Sequence, residues 1–215
     1  MGKSIDTRRR ALLLGTAGGL LTLPAWSASR LLTPRQTAGP FYPDLPMLDR
    51  DNDLTRIEGR PGIAKGRISE LTGRVLDAAG NPLPGVRVEI WQCDHNGRYR
   101  HSRDDNPAQM DEHFQGFGHS ITDQAGRYRF RTIRPVAYPG RTPHIHAAVF
   151  RDGTRPFVTQ IYVAGEAQNS EDLLFRRIPA EVRQLVLADF RPLDGADAEL
   201  AAAFDFILIP SAVQS

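Results

Sequence analysis

An all-β fold is what this sequence predicts: a single β-sandwich domain with an extended N-terminal arm and short helices near the C-terminus. Three observations carry that expectation. Short segments of alternating apolar and polar residues recur from about Arg67 onwards, clusters of turn-forming residues separate them, and one stretch alone, 179–190, has a helical pattern. Successive side chains on a strand face opposite ways, so alternation marks a ribbon with one face in a core.

The elements follow in order. Residues 1–27 read as a targeting leader: twin arginines (Arg9, Arg10), an apolar run from Ala11 to Leu23 broken by glycines, then Pro24 and the small residues Ala25, Ser27 and Ala28. The run is short for a membrane span, and the paired arginines fit the twin-arginine export form, so a periplasmic or extracellular location is expected. Residues 28–66, rich in Pro, Gly and Asp, read as an extended arm, and 67–215 as the sandwich. Thr72–Asp77 and Val86–Trp91 alternate as strands around the turn chemistry of Gly80-Asn81-Pro82 and Pro84-Gly85. Residues 101–117 form a long polar loop, of the length that is usually functional. Ser120–Ile133, folded about Asp123–Gly126, reads as a hairpin. Strands at 144–150 and 157–163, the helical stretch and a closing strand at Ala203–Leu208 complete the domain.

Composition narrows the function. The formal charge of +2 falls to about −1 once the leader's four basic residues and one acid are removed, which gives no case for nucleic-acid binding. The roughly 190 remaining residues suffice for one full core. A single cysteine, Cys93, excludes an internal disulfide and a multi-cysteine zinc site; it reads as a buried strand residue.

The densest chemistry lies in Tyr138-Pro-Gly-Arg141-Thr-Pro-His144-Ile-His146. A His-x-His pair at the start of a strand sets two imidazoles on one face, with Ile145 on the other. Tyr128 and Tyr162 suit strand packing. Tyr99, after the Asn96-Gly97 turn, and Tyr138, between Ala137 and Pro139, are poorly placed for a core. Imidazoles with phenolates suit a hard, oxidised metal, because a trivalent ion lowers a phenol's ordinary pKa of about 10. His95, His101, His113 and His119 sit in loops or at strand ends without a telling partner.

These pieces, with Gln36–Tyr42, Trp91-Gln92, Asn96–His101, Thr122-Asp123, Phe130–Ile133, Thr159–Tyr162 and Phe204–Leu208, are ordered as in a known family. The chain resembles the intradiol ring-cleavage dioxygenases, the protocatechuate 3,4-dioxygenase branch in particular. The resemblance implies Fe(III) held by Tyr99, Tyr138, His144 and His146, with Tyr138 giving way when substrate binds. It further implies that Arg141 steadies negative charge and that Gln160 and Trp91 lie beside the substrate, a small aromatic diol that reacts with O2. One departure stands out: a tryptophan-containing insertion of the protocatechuate enzymes is missing, and only Pro139–Pro143 separate Tyr138 from the histidine pair. The short loop bears directly on where Tyr138 and Arg141 point. Two other readings are an exported transthyretin-like binding module, suggested by the strand-turn-strand from Gly73 to Trp91, and a copper or zinc site on the histidines. The sequence specifies neither the particular catechol nor whether the chain forms a homo-oligomer.

Overall fold

The computed structural model describes residues 30–46, 48–49, 51–151, 156–194 and 197–209; the expected leader, with Arg9 and Arg10, lies outside the described residues. Ten strands form two sheets. In the first, β1 (Ile68–Asp77) pairs along one edge with β4 (Arg127–Ile133), antiparallel, and along the other with β9 (Leu200–Ala203) and β10 (Phe206–Leu208), both parallel; β8 (Arg191–Pro192) extends it beyond β9. In the second, the order is β3 (Phe117–Ile121), β2 (Arg87–Trp91), β5 (His144–Phe150), β6 (Phe157–Val163) and β7 (Leu187–Ala188). The all-β sandwich read from the sequence is the fold observed.

Alternation explains the layering. Ile145, Ala147 and Val149 of β5, Val88 and Ile90 of β2, and Ile161 of β6 face inwards, against Leu71, Val75, Phe130 and Phe206 of the other sheet. The intervening residues of the second sheet face outwards, yet β5 is buried on both sides over most of its length. The arm supplies the second cover. It is tied down by backbone hydrogen bonds from Arg30 to Ala78, Thr33 to Ile207 and Gln36 to Val158, so it runs from the edge of one sheet to the edge of the other. Further on, Leu54 and Ile57 turn into the body, and both are buried.

Three local expectations are corrected. Ser120–Ile133 is not a hairpin: β3 pairs with β2 and β4 with β1, so the chain changes sheets at the turn. Asp123 caps that turn by accepting from the backbone N–H groups of Ala125 and Arg127, as in a hairpin. Thr122, however, is held to the entrance of β2 by backbone and side-chain bonds with Val86, and remote pairing decides the rest. The helical stretch is a 3-10 segment, Ala180–Val186, after which Leu187 joins the sheet beside Tyr162. The closing strand is split into β9 and β10 around Phe204 and Asp205. The carbonyl oxygen of Phe204 passes over Gly73 where an added Cβ would lie 1.7 Å away, so only glycine fits. Cys93 is buried but lies beyond the end of β2. No helix among the described residues is long and apolar enough to cross a membrane.

The same crossing gives a stability prediction. The buried Tyr128 hydroxyl donates to Phe204 O at 2.6 Å. Tyr128→Phe leaves that carbonyl unpaired in the core and costs about 1–3 kcal/mol. A fall in Tm of roughly 3–10 °C follows for a domain of this size, measurable by calorimetry; an unchanged Tm would refute the bond's role.

Candidate metal centre

Strand register builds this site. His146 of β5 lies opposite Trp91 of β2 on one side and Gln160 of β6 on the other, and His144 lies opposite Tyr162. All five side chains project from the outer face of the second sheet. The Trp91 indole stacks on the His146 ring at 5.1 Å between centroids and 6° between planes. Gly39, in the left-handed region at φ 69°, brings the arm against the opposite side of that imidazole, and a Cβ there would sit 3.2 Å from His146 Cε1.

Two tyrosines complete the cluster from loops. The Tyr99 backbone is fixed by a hydrogen bond from its N–H to Asp104, and its ring stacks on Phe41 of the arm at 4.7 Å. Tyr138 opens a tight turn closed by the N–H of Arg141 donating to its carbonyl, with Gly140 between them at φ 78°. Ring centroids lie 5.4 Å apart for Tyr99 and Tyr138, 5.5 Å for Tyr138 and His144, 4.7 Å for the two histidines and 6.1 Å for Tyr99 and His146. Tyr99 thus converges with Tyr138, His144 and His146, which follow it at a distance in the sequence.

Two polar atoms at the centre, His146 Nδ1 and the Tyr99 hydroxyl, lack partners. His144 Nδ1 donates to the carbonyl of Thr142 at 2.6 Å, which leaves a lone pair on Nε2. That Nε2 faces His146 Nε2 at 3.2 Å. His146 Nδ1 and the Tyr99 hydroxyl are buried without hydrogen bonds. Burial holds His144 down to about 4 and His146 well below the usual imidazole range, with the Arg141 charge adding to both, so both rings are neutral at pH 7. Burial pushes the Tyr99 hydroxyl well up; it pushes Tyr138 up too, and Arg141 pulls it partly back. Buried, unpaired polar atoms of this kind are costly unless something satisfies them. A cation bound by both Nε2 lone pairs and both phenolates would satisfy the Tyr99 oxygen, though not His146 Nδ1, and a trivalent one would offset the reluctance of the phenols to ionise. The described residues hold no group of three or more His, Cys, Asp or Glu side chains placed to bind a metal ion, and the phenol-rich set suits a hard ion better than zinc or copper.

Arg141 points inwards despite the short loop. Its Nε donates to Asp172 at 2.8 Å, its Nη2 to Gln160 Oε1 at 2.5 Å, and its Nη1 lies 3.4 Å from the Tyr138 hydroxyl. Burial opposes the guanidinium charge, but the hydrogen bond to Asp172 and the nearby Tyr138, Asp172 and Tyr162 groups together outweigh it and hold the group charged. Burial likewise opposes ionisation of Asp172, and the N–H of Phe175 with Arg141 overcomes it. A cleft of about 270 Å³ opens beside Tyr138, Arg141 and Thr142. Trp91 and Gln160 flank His146, are buried and do not line that cleft. Cys93 takes no part, since burial pushes its thiol up to about 12.

Two contributors escape a reading of the sequence. Asp172 caps α1 (Leu173–Arg176) by accepting from Leu174 and Phe175, a role visible from an Asp before an apolar run, but its bond to Arg141 has no local signature. Tyr162 is more than packing: its hydroxyl donates to Gln36 Oε1 at 2.7 Å and lies 3.1 Å from Gln160 Oε1, linking the arm to the arginine.

The proteins that this chain resembles are dioxygenases. The family model described as Dioxygenase matches residues 37–210. The chain is 36% identical over 184 residues to the protocatechuate 3,4-dioxygenase beta chain of Burkholderia cepacia, covering 81% of this chain and 77% of that one. It is 30% identical to the hydroxyquinol 1,2-dioxygenase of Corynebacterium glutamicum over 81% of this chain, and spans 62% of that relative's length. The dioxygenase domain of a carbohydrate-binding fusion from Streptomyces sp. SirexAA-E superposes with a TM-score of 0.60 at 30% identity, covering 83% of this chain and 98% of that domain. The chain belongs to the intradiol ring-cleavage dioxygenase family.

The neutral histidines set a pH signature in metal-free protein. A folded pKa below the unfolded 6.5 means that the unfolded chain binds the proton first, so stability is full above pH 6.5 and is lost as pH falls towards 4. The His144 share amounts to about 2 kcal/mol between pH 6.5 and 5. Urea midpoints measured across that range should fall, and fall less in His144→Phe; a flat profile would contradict the buried, neutral assignment.

Proposed function

We propose that the protein is a nonhaem Fe(III) dioxygenase that opens a catechol-type ring with O2 between its two hydroxylated carbons, giving a cis,cis-muconate type diacid. The observation that carries this is the convergence of Tyr99, Tyr138, His144 and His146, with the two Nε2 atoms facing each other and the Tyr99 hydroxyl buried without a partner, in a chain of this family. Those four residues would hold the ion. Bound there, Fe(III) supplies a Lewis acid that accepts electron density from a deprotonated diol and so makes the ring reactive towards O2. Both oxygen atoms enter the product, so no external reductant is required.

The chain's own residues do the rest. Tyr138 borders the cleft, and its phenolate oxygen is the base within reach of a substrate hydroxyl. Arg141, held by Asp172 and Gln160, keeps Nη1 towards Tyr138 and towards negative charge that develops on the ring. Trp91 backs the His146 ring and keeps water from that side, and Gln160 orients the guanidinium while fastened to Thr37 O of the arm at 3.0 Å. Export by the twin-arginine machinery, which carries folded and cofactor-loaded proteins, belongs to the same proposal and rests on Arg9 and Arg10 alone.

Two substitutions separate the roles. His146→Ala removes a lone pair that no neighbour replaces, and iron content and visible colour should both be lost. Arg141→Ala offers no metal donor to lose; it should keep iron and colour and cleave catechols about 100- to 1000-fold more slowly. Parental turnover in Arg141→Ala would end its assigned role. For export, Arg9→Lys with Arg10→Lys should strand the protein in the cytoplasm on fractionation, and unchanged delivery would exclude the route.

A further inference from the structure

The cleft beside Tyr138 and Arg141 has a charge balance that bears on which diols it admits. Its walls include Arg141 together with Glu171 and Asp172, so one cation stands against two carboxylates. Arg141 is already committed: Nε to Asp172, whose side chain is wholly buried, and Nη2 to Gln160, which leaves Nη1 facing Tyr138. A carboxylate needs two parallel N–H donors on one edge of a guanidinium for a strong clamp, and no edge is free. Glu171 is exposed on the wall of the cleft and adds a negative charge there. Another arginine, Arg100, lies near Trp91, but it lines a separate cavity of about 20 Å³, room for a water and not for a carboxylate. The cleft, at about 270 Å³, is near the lower end of the range for ligand sites, which suits a single small ring.

We propose that the site takes ortho-diphenols whose ring carries no acidic group, and that Glu171 is a specificity-determining residue that repels the carboxylated ones. This rests on the dioxygenase reading above. It runs against the substrate for which the Burkholderia relative is named, a carboxylated diol, and turns on residues 168–172 of this chain.

The test compares 4-methylcatechol with 3,4-dihydroxybenzoate on the iron-loaded protein, by kcat/KM in air and by anaerobic calorimetric titration. Parent protein should favour the methyl compound in both readouts, and Glu171→Lys should move the ratio roughly tenfold towards the acid, as expected for reversing an exposed charge near the ligand. Added salt should shrink that change. Glu171→Gln should fall between the two. Preference of the parent for the acid, or a ratio that Glu171→Lys leaves where it was, would overturn the inference while the dioxygenase reading stood. Failure of both diols to bind or react in the parent would overturn that reading and this inference with it.

Discussion

The pairing register of β5 between β2 and β6 is the constraint on which the rest depends. It sets Trp91, His146 and Gln160 in one row and His144 beside Tyr162 in the next. Because side chains alternate with a period of two, a slip of one residue would turn both imidazoles into the sandwich and Ile145 and Ala147 out of it. Such a slip would bury polar rings in an apolar core and expose aliphatic side chains, so the hydrophobic pattern that forms the core also fixes the candidate metal centre. Core and site are two faces of one strand.

The outer face needs a cover, and the arm and loops provide it. Gly39 and Phe41 of the arm close over His146 and Tyr99, Gln36 and Thr37 reach β6, and Tyr138 with Arg141 folds in from the turn before β5. The result is a dry pocket in which neutral imidazoles and protonated phenols are the stable forms without metal. The packing leaves His146 Nδ1 and the Tyr99 hydroxyl unsatisfied, which is costly in a buried setting. The same packing immobilises Arg141 through Asp172 and Gln160, which exchanges freedom of the guanidinium for aim.

Much of this is legible in the sequence itself. The sandwich, the strands at 144–150 and 157–163, and the shared face of His144 and His146 follow from alternation, which is local information. Tyr99 and Tyr138 are conspicuous because loop positions outside any alternating strand pattern make poor core tyrosines. Long-range pairing is what local pattern does not carry. Asp123 caps a turn whether its strands pair together or part, so a hairpin and the observed change of sheets after Ile121 share one local signature. The helical pattern runs past Val186, whereas the helix does not, because joining Leu187 to the edge of β6 is a tertiary gain that no local preference reports. Asp172 shows the same limit in the site: its cap is written next to it, whereas its bond to Arg141 spans 31 residues. A short loop after Tyr138 leaves the direction of Arg141 open, and the tight turn around Gly140 brings it in.

Metal analysis with a visible spectrum of the purified mature protein, after expression with ample iron, tests the central claim most directly. The expected result is about one iron per chain and a broad visible band from tyrosinate-to-Fe(III) charge transfer, both dependent on Tyr99, whose buried hydroxyl has no other partner. Stoichiometric zinc or copper in a colourless protein would contradict it.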